Sequence, residues 1–143
     1  MTLNLSEAAK FVGVSSATVS QWLAQGLLTP LDGWRGRQGD LVEVTVQNLR
    51  EMQLVAALRR IMVPHGCIRD NRDLLHMISG RPFTRDLLLR VDFGREAMSV
   101  VGKGNLPHTV IGANTVVMGM PVEPDFAHLY TEGGKEARGE QGE

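Results

Sequence analysis

The stretch Leu5 to Gln25, LSEAAKFVGVSSATVSQWLAQ, narrows the possible folds more than any other part of the chain. Its apolar residues fall at the spacing of two short helices joined by a tight turn. Ala8, Ala9 and Val12 share one face of a first helix, and Val19, Trp22 and Leu23 share one face of a second. Between them, Gly13 suits a turn position that needs a positive φ, Val14 points inward, and Ser15 stands where an N-cap belongs. Ala9 is small where two crossing helices must come close. Ser6, with Glu7 behind it, opens the first helix, and the acid lies favourably near the positive end of the helix dipole. Gly26 ends the second helix as a C′ residue would.

The second helix leaves Ser15, Ser16, Ala17, Thr18, Ser20 and Gln21 for solvent. Short hydroxyl and amide side chains of this kind hydrogen-bond phosphates and base edges. The pattern is that of a helix-turn-helix with a recognition helix; the competing reading is an ordinary helical hairpin with a solvated polar face. Charge leaves room for a nucleic-acid partner. The net charge of −1 is unevenly spread: residues 1–91 carry eleven Lys or Arg against eight Asp or Glu, net +3, and residues 92–143 carry four against eight, net −4. A mildly basic front with an acidic tail fits DNA binding through a few well-placed contacts rather than through a broad basic footprint.

Thr29 and Pro30 leave the second helix in extended conformation. LDGWRGRQGDLVEV, Leu31 to Val44, then reads as a β-hairpin, with Gly36 and Gly39 bracketing the turn and Leu41, Val42 and Val44 on the return. Trp34, Arg35, Arg37 and Gln38 lie near the tip. A hairpin that follows a helix-turn-helix and precedes another helix sits where a winged helix carries its wing. Its arginines could reach phosphates and Trp34 could pack it onto the body, the alternative being a solvated surface loop. Thr45 caps a third helix expected over Val46 to Met62. Leu54, Val55, Leu58, Ile61 and Met62 make its buried stripe, and Arg50, Gln53, Ala57 and Arg60 its solvent side. A fourth helix is expected from between His65 and Ile68 through Ile78, stopping before Gly80.

The order helix-turn-helix, wing, long helix, short helix, with the strings LSEAAKFVGVSSATVSQWLAQGLL and VTVQNLREMQLVAALRRIMVP, resembles the MerR-like winged-helix family over residues 3 to about 79. The resemblance implies double-stranded DNA binding, usually as a homodimer, with the second helix in the major groove and the wing on the flanking backbone. Two features depart from the family. Many members carry an arginine and an aromatic residue where this chain has Ser20 and Gln21. MerR regulators proper also continue into a long dimerising coiled coil, whereas this chain breaks at Gly80, Arg81 and Pro82, which argues against a metal- or drug-sensing regulator.

After the break come β patterns. Asp86 to Val91 and Glu96 to Val101 flank a turn at Phe93 to Arg95, and His108 to Ile111 and Thr115 to Met118 flank a second at Gly112 to Asn114. Hairpins this short need a surface to bury against, either the helical body or a second protomer. The layout resembles a class of MerR-like antitoxins, in which the β segment meets a partner protein. From Glu132 onward the chain is Gly- and charge-rich, and disorder is expected. The expected organisation is α+β: an N-terminal winged helix-turn-helix over 1–79, a β-rich dimerisation or partner-binding segment over 80–131, and a tail over 132–143.

Other chemistries find little support. Among His65, His76, His108, His128 and Cys67 only His65 and Cys67 are close in sequence, so no metal site is expected. Cys67 lacks an identifiable base, and VGKGN at 101–105 lacks full phosphate-loop spacing and reads as a hairpin loop. Met52, Met62, Met77 and Met98 lie in apolar patterns and read as core. Neither an enzyme nor a cofactor is expected. With no membrane-spanning apolar run and no leader pattern, a cytoplasmic protein is expected. The functional expectation is a sequence-specific transcriptional regulator contacting DNA through Ser15, Ser16, Thr18, Ser20, Gln21, Trp34, Arg35, Arg37 and Gln38. The alternatives are an antitoxin-type module binding a protein through residues 82–131, and an architectural DNA binder of the kind that phage excisionases and small terminase subunits represent.

Overall fold

The computed structural model describes residues 2–37, 39–84, 86–101, 109–110 and 114–121. Its architecture is mixed α+β, with five helices and two small antiparallel sheets among those residues. The tail from Glu132, the VGKGN segment beyond Val101, and Gln38, His108 and His128 lie outside them.

Strand β1, Thr2–Asn4, leads directly into helix α1, Leu5–Val12. The N-cap is Asn4 rather than Ser6. Asn4 accepts from the Glu7 N–H, and Glu7 in turn accepts from the Asn4 N–H, a reciprocal capping box that fixes where the helix starts. Gly13 is left-handed, with φ 85°. Its N–H reaches Lys10 O at 3.3 Å and the Val14 N–H reaches Ala9 O at 3.1 Å, so the helix closes in a Schellman motif. Ser15 then caps helix α2, Ser16–Gln25, which closes at Gly26 in the same way. The inward residues Ala8, Ala9, Val12, Val19, Trp22 and Leu23 are all buried as their spacing predicts, and Val14 packs against them. No basic residue occupies the last turn of α2, but Arg69 and Arg72 lie beside Gly26 and supply positive charge there.

The expected two-stranded hairpin over 31–44 forms differently. The return strand β2, Leu41–Glu43, pairs antiparallel with β1, Leu3 opposite Val42, and among the described residues the outgoing arm contributes only the bridge Asp32–Glu43. Residues 2–4 therefore supply the partner strand. They contain too few residues to show a β period, and their pairing is tertiary.

Helix α3, Val46–Arg60, begins at Thr45 as expected, in a capping box with Asn48. It is enclosed on more of its circumference than a single stripe. Leu49, Met52, Leu54, Val55, Ala56 and Leu58 are all buried, and of the expected solvent side only Arg60 is exposed, Arg50, Gln53 and Ala57 being half-buried. At its end Ile61 is 40% exposed and Met62 75% exposed, against the expectation that both lie in the core. The reason is another Schellman closure. Met62 adopts φ 67°, its N–H reaches Arg59 O and the Val63 N–H reaches Leu58 O, so the chain turns away one residue before the stripe would have continued.

The single fourth helix of the sequence reading is two: α4, His65–Asp70, and α5, Arg72–Ile78, broken at Asn71 with φ −113° and ψ 18°. Met77 on α5 is 66% exposed, so it too is not core, whereas Met52 and Met98 are buried. The break lets the Asn71 amide serve a second sheet. Strands β3, Leu88–Asp92, β4, Ala97–Val101, β5, Thr109–Val110, and β6, Thr115–Gly119, form it in the order β4-β3-β6-β5, all antiparallel. Both expected hairpins are present, the first beginning two residues later than Asp86, and β6 joins them by pairing with β3, Leu89 opposite Met118.

On the outer edge of β4, Asn71 Nδ2 donates to Glu96 O at 2.8 Å and Asn71 Oδ1 accepts from the Met98 N–H at 3.2 Å. One side-chain amide thus satisfies two groups that a neighbouring strand would satisfy. Leu89, Val91, Met98 and Met118 belong to the same hydrophobic cluster as the helical interior, so the sheet packs on the helical body. No helix among the described residues is long and apolar enough to cross a membrane.

Candidate functional site

The site expected from sequence comprises the open face of α2 and the 31–44 segment. On α2, the Ser15 hydroxyl accepts from the Thr18 N–H at 3.1 Å, and its oxygen lies 2.8 Å from the Thr18 hydroxyl. Both side chains are committed to starting the helix, the Ser15 oxygen covering the Thr18 N–H, with Ser15 exposed and Thr18 half-buried. Ser16 and Ser20 are half-buried. Gln21 is exposed with Ala17, Ala24 and Gln25. Of the expected α2 residues, Gln21 is the exposed one that carries an amide, a group with both a hydrogen-bond donor and an acceptor.

The 31–44 segment is built around two glycines and one carboxylate. Gly33 has φ 92°, and a Cβ there would lie 2.5 Å from the Leu41 carbonyl oxygen, so only glycine lets the outgoing and returning arms approach this closely. Gly36 has φ 96°, which turns the N–H groups of its two neighbours toward one point. Asp40 Oδ2 occupies that point, accepting from the Arg35 N–H at 2.6 Å and the Arg37 N–H at 3.2 Å. The Arg35 N–H holds the Asp40 carboxyl below the usual aspartate value, with help from the Arg37 N–H and from both guanidinium charges. Arg35 and Arg37 themselves are exposed.

Trp34 is half-buried and packs against the core, as expected for the residue that seats this segment on the body. Its indole Nε1 is enclosed without an acceptor among the described residues. Gln38 lies outside the described residues.

Three residues important to this geometry were not singled out from sequence. Asp40 is one; its signal is an aspartate closing a Gly-rich turn, where its side chain bonds nearby backbone N–H groups. Glu51 is the second, 1% exposed on α3. Its carboxylate accepts from the Thr29 N–H at 2.8 Å and the Thr29 hydroxyl at 3.0 Å, and lies 2.7 Å from His76 Nδ1. Thr29 follows α2 by a few residues, so this buried carboxylate ties the exit of α2 to α3 and α5. The signal was a lone charge in an apolar stripe with Val55 and Leu58. Asn71 is the third, flagged only by a poor helix former inside an expected helix.

Metal and nucleophile chemistry gain nothing from the geometry. His65 is exposed and Cys67 buried on the same short helix, and among the described residues no group of three or more His, Cys, Asp or Glu is placed to hold a metal ion. Burial, reinforced by the charges of Glu96, Asp70 and Asp92, pushes the Cys67 thiol above its ordinary value and keeps it protonated. No family model, curated protein or solved structure matches the chain.

Proposed function

We propose that this chain is a sequence-specific double-stranded DNA-binding regulator of the MerR-like winged helix-turn-helix kind. In this reading α2 is the recognition helix in the major groove, the 31–44 loop is the wing on the flanking backbone, and two protomers read an inverted repeat. It is neither an enzyme nor dependent on a cofactor. The observation that carries the reading is the α1–α2 corner: Gly13 in the left-handed conformation, Ser15 as N-cap, and an interior of Ala8, Ala9, Val19, Trp22 and Leu23, which leave Gln21 open on the outer face. The exposed pair Arg35 and Arg37 on a braced loop supports a backbone contact beside it.

The test is fluorescence anisotropy of the full-length protein with a preferred duplex and with random duplexes across a salt series. Gln21→Ala should lose roughly tenfold or more on the preferred site and little on random DNA, the loss expected for one base contact. Arg37→Ala should weaken both alike and flatten the dependence of log K on log salt by about 0.9, the value of one phosphate contact. Equal loss on both duplexes for Gln21→Ala would remove it as a base reader. An absence of salt-sensitive duplex binding by the unmodified chain would overturn the reading as a whole.

A further inference from the structure

Asp40 presents a puzzle for a DNA-binding loop. It is a carboxylate beside Arg35 and Arg37, where its charge opposes a phosphate and partly offsets two cations. A charge so placed is a cost to phosphate binding unless the residue contributes something else. The geometry supplies that contribution, because one oxygen gathers the N–H groups of both arginines across Gly36, and the Asp40 N–H in turn donates to Arg37 O at 3.1 Å. The loop has few other internal backbone bonds among its described residues. Among those described, the Trp34 N–H to Leu31 O and the Glu43 N–H to Asp32 O lie at its base, below the arginines.

We infer that Asp40 is the positioning residue of the DNA contact: it fixes the backbone of Arg35 and Arg37 before DNA arrives, so that both guanidinium groups stay outward and little ordering remains for binding to accomplish. The inference rests on the DNA-binding reading and assigns a role within it to a residue that touches no DNA. Preorganisation of this kind strengthens binding by reducing what must be ordered on association.

The role of the oxygen and the role of the charge separate cleanly by substitution. Asp40→Asn keeps an acceptor oxygen and removes the charge, whereas Asp40→Ala removes both. If Asp40 acts by holding backbone, Asp40→Ala weakens duplex binding by roughly tenfold, the loss expected when the backbone of about one residue must be ordered on binding. Asp40→Asn then binds at least as well as the unmodified chain. If Asp40 acted only as a charge, both variants would bind more tightly, and the inference would be overturned.

A second readout needs no DNA. Trypsin cleaves after Arg35 and Arg37 only when the loop opens, so at neutral pH Asp40→Ala should be cut roughly tenfold faster at those two bonds, with Asp40→Asn close to the unmodified rate. Equal rates for Asp40→Ala and the unmodified chain would show that the carboxylate does not hold the loop. Failure of the unmodified chain to bind any duplex would instead overturn the DNA reading, and the trypsin comparison would then decide the loop-holding role alone.

Discussion

The helical pair α1–α2 and the helical trio α3–α5 reach their ends by different means. In the pair, each helix closes on a glycine, Gly13 at φ 85° and Gly26 at φ 81°, and each begins on a side-chain cap from the residue just before it. In the trio, α3 closes with the same hydrogen bonds around Met62 at φ 67°, and α4 and α5 have no side-chain caps. Stability there comes from contacts across the chain, through Glu51 and Asn71. The ends of α1 and α2 are set by local chemistry; α3 also starts on a local cap, Thr45 with Asn48, but the rest of the trio depends on polar bonds between distant residues. Each of the following measurements presses on that contrast, beginning with the largest effect.

Glu51→Ala should be the most damaging. It leaves the half-buried Thr29 N–H and hydroxyl and His76 without their shared acceptor, and losing these hydrogen bonds together costs on the order of 3 kcal/mol. Urea unfolding reads this directly, and a loss below about 1 kcal/mol would show that the clasp is not what joins α2, α3 and α5. Asn71→Ala should follow at roughly 2 kcal/mol, since it leaves Glu96 O and the Met98 N–H on the β4 edge without partners. Hydrogen exchange at Met98 should rise even if global stability falls less than expected; an unchanged exchange rate would contradict the edge-capping role.

Two of the three Schellman closures, at Gly13 and Met62, make a matched pair of opposite sign. A Cβ at Gly13 meets nothing within 4 Å, so Gly13→Ala costs only the left-handed conformation itself, about 1 kcal/mol. Met62→Gly relieves the same conformation while exposing nothing new, because Met62 is already 75% exposed, and it should stabilise by about 1 kcal/mol or slightly less. If both substitutions destabilise, the Met62 side chain makes a contribution that outweighs its backbone strain.

The smallest effect concerns acid. The Asp40 carboxyl titrates below its unfolded value, so the charge-dependent share of its hold on the loop is complete above that value and is lost as pH falls through the lower, folded one, while the carbonyl oxygen of the protonated acid still accepts. The Arg35 and Arg37 amide resonances should therefore shift together with a midpoint below the usual aspartate range. Independent midpoints would separate the two hydrogen bonds.

The same contrast explains what was legible in the sequence. Residues 5–27 write most of their structure in local terms, a glycine for each left-handed turn and Ser15 before α2, although α1 is capped by Asn4 and not by Ser6, and the spacing alone placed their six inward side chains correctly. Leu41 to Glu43 had visible β character, but their partner is Thr2–Asn4 rather than the preceding arm, a choice made by tertiary packing. Ile61, Met62 and Met77 continued apolar patterns that the chain abandons, at Met62 because a methionine occupies a position usually marked by glycine. In the candidate site, the residues that would meet DNA were visible as types, Gln21, Arg35 and Arg37. Ser15 was legible as a cap, but its tie to Thr18 and the bonds of the carboxylates Asp40 and Glu51 required coordinates, because hydrogen bonds between side chain and backbone leave almost no trace in periodicity.

The central claim is that α2 and the braced loop read duplex DNA, and its most direct test is selection from a random duplex library by the full-length protein at near-physiological salt, followed by sequencing. The proposal predicts recovery of an inverted repeat whose enrichment disappears with Gln21→Ala. Recovery of unenriched sequence, with binding that only follows salt, would contradict it.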